Sequence, residues 1–200
     1  WANFAVRHGI PTAAAFRRQD AVDNQCSVYA GQLGYGPNPK LQQRVRDADL
    51  LIVLGARLGE ATTDGYKLIT PDHPDQLLVH VHPDPNELGR VYKADLPICA
   101  DMGEFAEVAA DWRDPDLVRF KAGEEAHRDW LNWSEPAPRD GVRMDLGPCV
   151  KAMRDALPAN TIICNGAGNF SGWFHRYWRY AAMPTQLAPT SGTMGYGLPA

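Results

Sequence analysis

Two glycine-rich segments near the C-terminal end carry the sharpest chemical signal in this sequence. The run Thr161-Ile162-Ile163-Cys164-Asn165 reads as a strand and passes directly into Gly166-Ala167-Gly168-Asn169-Phe170-Ser171-Gly172, after which a helix is expected. A glycine-rich turn at the carboxyl end of a parallel strand lets backbone amides approach a phosphate oxygen closely. The spacing departs from the dinucleotide fingerprint: the third glycine comes one residue late, and no acid stands about 20 residues on to hold a ribose. A diphosphate therefore fits better than a dinucleotide, and a tight ligand-free turn is the plainer reading of the same residues. The second segment, Ala188-Pro189-Thr190-Ser191-Gly192-Thr193-Met194-Gly195-Tyr196-Gly197-Leu198-Pro199-Ala200, sets three glycines around one methionine. Such a run lets a flat group approach the backbone with the thioether as a soft apolar support, and taken alone it reads equally well as a loop.

Other constellations are weaker. His80 and His82 share one face of a strand, but two ligands without a third make a poor metal site, and hydrogen-bonded strand histidines are the simpler expectation. The stretch Trp173-Phe174-His175-Arg176-Tyr177-Trp178-Arg179-Tyr180 mixes basic and aromatic residues and has the composition of a base-stacking helix; packing at a subunit contact accounts for it as well.

The elements that must position these residues alternate. Pro39 to Asp47 is helical, with Leu41, Val45 and Ala48 on one face, and Asp49 to Gly55 is a short aliphatic strand that ends in glycine. Further strands are expected over Leu77 to His82 and Leu96 to Ala100, separated by turn-rich segments. Asp101 then caps a helix with Glu104 three residues on, while Phe105, Val108, Ala109 and Trp112 recur at helical spacing. Strands alternating with helices predict an α/β fold with a mostly parallel sheet covered on both faces. From Ser134 to Gly147 the pattern lapses into proline and charge, which predicts a linker, followed by a helix to about Leu157.

Composition narrows the function classes. With 44% hydrophobic and 22% charged residues among 200, the chain has the make-up of a globular protein rather than a disordered one. A net charge of −4 offers no general attraction to nucleic acid or to an anionic membrane, so neither is expected as a partner. The longest apolar run, Leu50 to Ala56, is far short of the ~20 residues that span a bilayer. Four scattered cysteines, Cys26, Cys99, Cys149 and Cys164, suit a reducing compartment, and a cytoplasmic location is expected. From Ala156 onward the only Asp, Glu, Lys or Arg residues are Arg176 and Arg179, which predicts burial of this part against another domain, subunit or ligand. The opening at Trp1, in the tail of a helix, and the stop at Ala200, in the first turns of another, read as an internal fragment.

The stretch from Thr161 to Ala200 resembles the opening of the diphosphate-side domain of thiamine diphosphate enzymes of the acetolactate synthase type. Gly192-Thr193-Met194-Gly195-Tyr196-Gly197-Leu198-Pro199 matches that family's Gly-x-Met-Gly-aromatic-Gly-Leu-Pro segment position by position. The earlier part is similar to the family's central domain, on Ala48-Asp49-Leu50-Leu51-Ile52-Val53-Leu54-Gly55-Ala56-Arg57-Leu58-Gly59 and Val79-His80-Val81-His82-Pro83-Asp84-Pro85-Asn86-Glu87-Leu88-Gly89-Arg90. The resemblance implies a Rossmann-like central domain over 1–133, truncated at its start, a linker over 134–146, and the beginning of a second α/β domain over 147–200.

It also implies roles. The Gly192 carbonyl would accept a hydrogen bond from the cofactor's 4′-amino group, Met194 would wedge between its two rings, and Gly168 and Asn169 would lie by the diphosphate. The family's usual Gln and His after that glycine are here Asn169 and Phe170, so backbone amides are the expected diphosphate contacts. Members that keep FAD use the strand end that corresponds to Gly55, Ala56 and Arg57, together with an acid where His82 stands here, which speaks against flavin. The family's activating Glu and its Gly-Asp-Gly motif for Mg2+ would fall outside the 200 residues, so these alone are expected to be inactive. The implied activity is decarboxylation of a 2-oxo acid such as pyruvate and carboligation, by a homodimer or homotetramer. The alternative is a non-catalytic nucleotide-binding or scaffolding relative, for which His82 and Phe170 speak.

Overall fold

The computed structural model describes residues 1–112, 121–137, 139–141 and 143–200; residues 138 and 142 of the expected linker lie outside them. The chain opens with helix α1 (Ala2–His8), closed by Gly9 in the left-handed conformation. Strand β1 (Thr12–Ala14) pairs in parallel with β2 (Tyr29–Gln32), and the loop between them includes a short 3-10 turn over Gln19–Ala21.

Helix α2 (Pro39–Arg46) begins where the chemistry of its first residues dictates. Asn38 accepts a hydrogen bond from the Lys40 amide, and Pro39 needs no amide partner at the first helical position. Its Leu41 and Val45 face inward. Strands β3 (Leu50–Leu54), β4 (Leu77–His82) and β5 (Leu96–Cys99) form one parallel sheet in that order, with Leu50 opposite Leu77 and Val79 opposite Leu96. Helix α3 (Met102–Asp111) follows, with the Asp101 carboxylate accepting from the Gly103 and Glu104 amides.

Helix α4 (Ala122–Trp133), not expected from the sequence, buries Ala126 and Trp130. Trp130 meets the wholly buried Tyr29 edge to face, with ring centroids 4.9 Å apart. Residues 134–145 hold no helix or strand among those described, and Asp145 then caps α5 (Leu146–Ala156) by accepting from the Gly147 amide. Strand β6 (Ile163–Cys164) pairs in parallel with β7 (Gln186–Leu187), and α6 (Ser171–Tyr177) lies between them.

The fold is α/β and every strand pair is parallel, as the alternating pattern predicts. Coverage is less complete than expected. The strands fall into three small sheets rather than one, and β5 is largely exposed, because the helices pack chiefly against β2 and the turns after β3. The main core joins Ala30, Leu41, Leu58, Ile69, Leu78 and Tyr92, each worth about 1 to 3 kcal/mol when fully removed from water. A second core gathers Val150, Ile163, Trp178 and Tyr180. Within the aromatic stretch Trp178 and Tyr180 are buried in this core, while Trp173, Phe174, Arg176 and Tyr177 are half-buried. No helix among the described residues is long and apolar enough to cross a membrane.

Candidate functional site

The two glycine-rich segments come together through their backbones. β6 leads into Asn165, whose amide donates to the Leu187 carbonyl (2.9 Å) and extends the ladder to the edge of the turn. A Cβ on Gly197 would stand 2.6 Å from the Gly166 nitrogen and 2.9 Å from the Asn165 carbonyl carbon, so only glycine permits this approach. The turn beyond is tied off by Ser171, whose hydroxyl and amide both donate to the Gly168 carbonyl (2.8 and 3.1 Å). Gly168, Asn169 and Phe170 are exposed, and so are Gly192 and Met194. Met194 is 84% exposed and Leu198 97%.

Behind this open front lies a buried polar lattice that the sequence did not announce. Its side chains come from the loop between β1 and β2, two as donors and two as acceptors. The Arg17 guanidinium donates to the Pro189 carbonyl (2.6 Å) and to the Ser171 hydroxyl (3.4 Å). The Gln19 amide donates to Gln186 Oε1 (2.7 Å), and its side-chain amide donates to the His175 carbonyl (2.8 Å). Asp20 Oδ2 accepts from the Thr185 and Gln186 amides (3.0 and 3.1 Å), while Asn24 Oδ1 accepts from the Tyr180 amide (2.9 Å). All four loop side chains are buried. Removing one buried partner of this kind costs about 1 to 3 kcal/mol, because the group left behind has lost water as well. Burial, and then the neighbouring Arg17 charge, push the His175 imidazole down to about 4, so it sits neutral in the lattice. The charge-poor C-terminal stretch is therefore covered in part by this chain's own loop, around Ser171, His175, Thr185 and Gln186, while its tip stays open. The only sequence signal for the lattice was Phe16-Arg17-Arg18-Gln19-Asp20, a polar run with no period.

The second candidate place is the carboxyl end of β3 and β4. Gly55 has φ +66, and Met102 Sδ sits 3.1 Å from where its Cβ would be, so the side chain that starts α3 fills the approach to the glycine. His80 Nε2 donates to the Ala56 carbonyl (2.8 Å), and burial chiefly holds its pKa down. His82 Nδ1 accepts from the Asp84 amide (3.1 Å). The two rings face each other at 6.1 Å, both engaged in the hydrogen bonds expected of strand histidines. Glu87 is buried, with Arg90 at 2.9 Å and the largely exposed Arg57 at 3.6 Å. The Met102 thioether takes the place a Cβ on Gly55 would occupy, while Gly55 itself and the Arg57 side chain stay exposed. Among the described residues, no group of three or more His, Cys, Asp and Glu gathers as a metal site.

Parallel strands that run into glycine-rich turns define the class: an α/β protein of parallel sheets whose strand ends let backbone segments approach closely. The chain belongs to the thiamine pyrophosphate enzyme family: the family described as "Thiamine pyrophosphate enzyme, central domain" matches residues 1–108. Similarity continues beyond that segment. The chain is 25% identical over 199 residues to the acetolactate synthase isozyme 2 large subunit of Escherichia coli (strain K12), covering 98% of this chain and 35% of that protein. It is 28% identical over 222 residues to the sulfoacetaldehyde acetyltransferase of Rhodobacter capsulatus, covering 98% of this chain and 37% of that protein. The acetolactate synthase large subunit of Parasynechococcus marenigrum is 25% identical over 209 residues, with 98% and 32% covered. The chain thus spans about a third of the length of the curated relatives it matches.

Proposed function

We propose that this chain is part of a thiamine diphosphate-dependent enzyme that decarboxylates a 2-oxo acid and joins the remaining fragment to a second carbonyl, with pyruvate as the donor. The observation that carries this reading is the pairing of an open glycine turn at 166–169 with an exposed methionine at 194, locked together by the contact of Gly197 with Gly166. The residues fit the cofactor on this structure's own terms. Exposed Gly168 and Asn169 offer backbone amides to a diphosphate, and the Gly192 carbonyl and Met194 thioether stand free for a two-ring ligand.

When bound, the cofactor supplies the electron sink for the pair left behind as carbon dioxide departs. The protein's part is to bind and orient. Met194 would give the two-ring ligand an apolar support, the Gly192 carbonyl would accept a hydrogen bond from its amino group, and backbone amides of the turn at Gly168 would hold its charged end. Mg2+ would accompany the diphosphate, with ligands that the family resemblance puts after Ala200. Residues 1–133 then form the central domain, 134–146 the linker and 147–200 the start of the cofactor domain, in a homodimer or homotetramer. The similarity to acetolactate synthases and to sulfoacetaldehyde acetyltransferases supports a small carbonyl compound as substrate.

Turnover by the protein expressed from its whole coding sequence tests the reading. Carbon dioxide release from pyruvate with thiamine diphosphate and Mg2+ is expected, with Met194→Ala lowering kcat by about tenfold or more. Thiamine diphosphate binding without turnover of pyruvate or sulfoacetaldehyde would favour a non-catalytic binding or scaffolding protein instead.

A further inference from the structure

Arg17 is the least expected residue in the molecule. It comes from the segment matched as central domain, yet it is 4% exposed and its side chain ends on Ser171, just after the Gly168 turn, and on Pro189, just before Gly192. Its backbone sits at φ +57, a left-handed conformation that a long side chain rarely adopts. The guanidinium reaches the Pro189 carbonyl, three residues before Gly192, and the Ser171 hydroxyl, which itself holds the Gly168 carbonyl. One side chain thereby ties both glycine-rich segments to the loop between β1 and β2.

Its charge is not spent inside the chain. Among the described residues no carboxylate lies at ion-pair distance from Arg17; Asp20, its near neighbour in sequence, commits Oδ2 to the Thr185 and Gln186 amides. Arg17 Nε has no partner at all, and the partners of the other nitrogens are neutral oxygens. The Phe16 ring lies 4.7 Å from the guanidinium carbon, and His175 beside it stays neutral. A buried cation without a counter-ion is costly unless an anion completes it. The open side of the Ser171–Gly168 turn is where an anion would do so.

We propose that Arg17 is a positioning residue for the diphosphate: it holds the Gly168 and Gly192 segments in register and places an uncompensated positive charge behind the diphosphate-binding turn. The inference rests on the thiamine diphosphate reading above. Two features of the side chain are needed, the forked reach to two acceptors and the charge, and Lys keeps only the second.

The test is a calorimetric titration of the apoprotein, expressed from its whole coding sequence, with thiamine diphosphate plus Mg2+ and separately with thiamine, for wild type, Arg17→Lys and Arg17→Gln. Arg17→Gln should weaken thiamine diphosphate by about tenfold or more while moving thiamine by less than about twofold, since the attraction of the buried positive charge acts on the anionic ligand only. Arg17→Lys should recover most of that loss. Should Arg17→Gln fail to fold, Arg17→Met takes its place, and its ratio of thiamine diphosphate to thiamine affinity must fall about tenfold or more below wild type; a ratio within about threefold would overturn the proposal. Equal weakening of both ligands, or thiamine diphosphate affinity unchanged in Arg17→Gln, would reduce Arg17 to a structural strut and overturn the proposal. A wild-type protein that binds neither ligand would overturn the cofactor reading itself, and Arg17's role with it.

Discussion

At the end of β3 the backbone turns through Gly55 into space already taken by Met102, with His80 bonded to the next carbonyl and Glu87 held by arginines. At the end of β6 it turns through Gly166 and Gly168 into a front where Asn169, Gly192 and Met194 are exposed, and the bracing comes from behind, through Arg17, Gln19 and Asp20. Both places begin with the same device, a parallel strand running into glycine. The difference lies in where the polar partners sit. At β3 the place a Cβ of the glycine would take is filled by Met102 while Gly55 and Arg57 stay exposed, whereas at β6 the polar partners lie behind the turn and its front at 168–170 is left bare.

The first way to break this comparison is steric. Gly197→Ala should drive a methyl into the Gly166 backbone, lowering stability by about 3 kcal/mol or separating the two segments; a melting curve unchanged from wild type would show that the contact is dispensable. Less severe is the pH response of the bracing lattice. The His175 value of about 4 lies below its ordinary 6.5, so the unfolded chain takes up the proton first. Stability from this group is intact above about pH 6.5 and drains as the pH falls towards 4, by about 3 kcal/mol at most. Urea titrations at stepped pH should show that slope in wild type and a flatter one in His175→Gln. The smallest effect belongs to the end of β3. Gly55→Ala should cost about 1 kcal/mol, mainly from the left-handed backbone, and Met102→Ala on top of it should restore only the part due to side-chain contact. Full rescue by Met102→Ala would mean that the packing of Met102, rather than the backbone, sets the cost.

Much of this arrangement could be read from local residue patterns. Asn38-Pro39, Asp101 and the aliphatic run at Leu50–Leu54 announce α2, α3 and β3 because caps, fixed φ and β-branched side chains act within a few residues. The glycines that form the candidate site were legible for the same reason. β1 and β2 were not: Thr12–Ala14 and Tyr29–Gln32 are short, lack alternation, and owe their pairing to a parallel contact that skips fourteen residues. α4 escaped notice although Ala126 and Trp130 lie one turn apart. Arg17, Gln19 and Asp20 were the hardest, since a polar run looks the same in a sequence whether it faces water or a buried lattice; only the long-range partners Pro189, Gln186 and Thr185 distinguish the two. The aromatic stretch showed the reverse effect: its composition suggested an outward surface, and the apolar neighbours Val150 and Ile163 draw Trp178 and Tyr180 inward.

The most direct measurement sets one variant from each strand end against a single ligand: thiamine diphosphate with Mg2+ titrated into wild type, Met194→Ala and Arg57→Ala, each expressed from the whole coding sequence. The glycine-rich front predicts binding by wild type, weakened about tenfold or more in Met194→Ala and within about twofold of wild type in Arg57→Ala. Loss of binding in Arg57→Ala with Met194→Ala unaffected, or no binding by wild type, would contradict it.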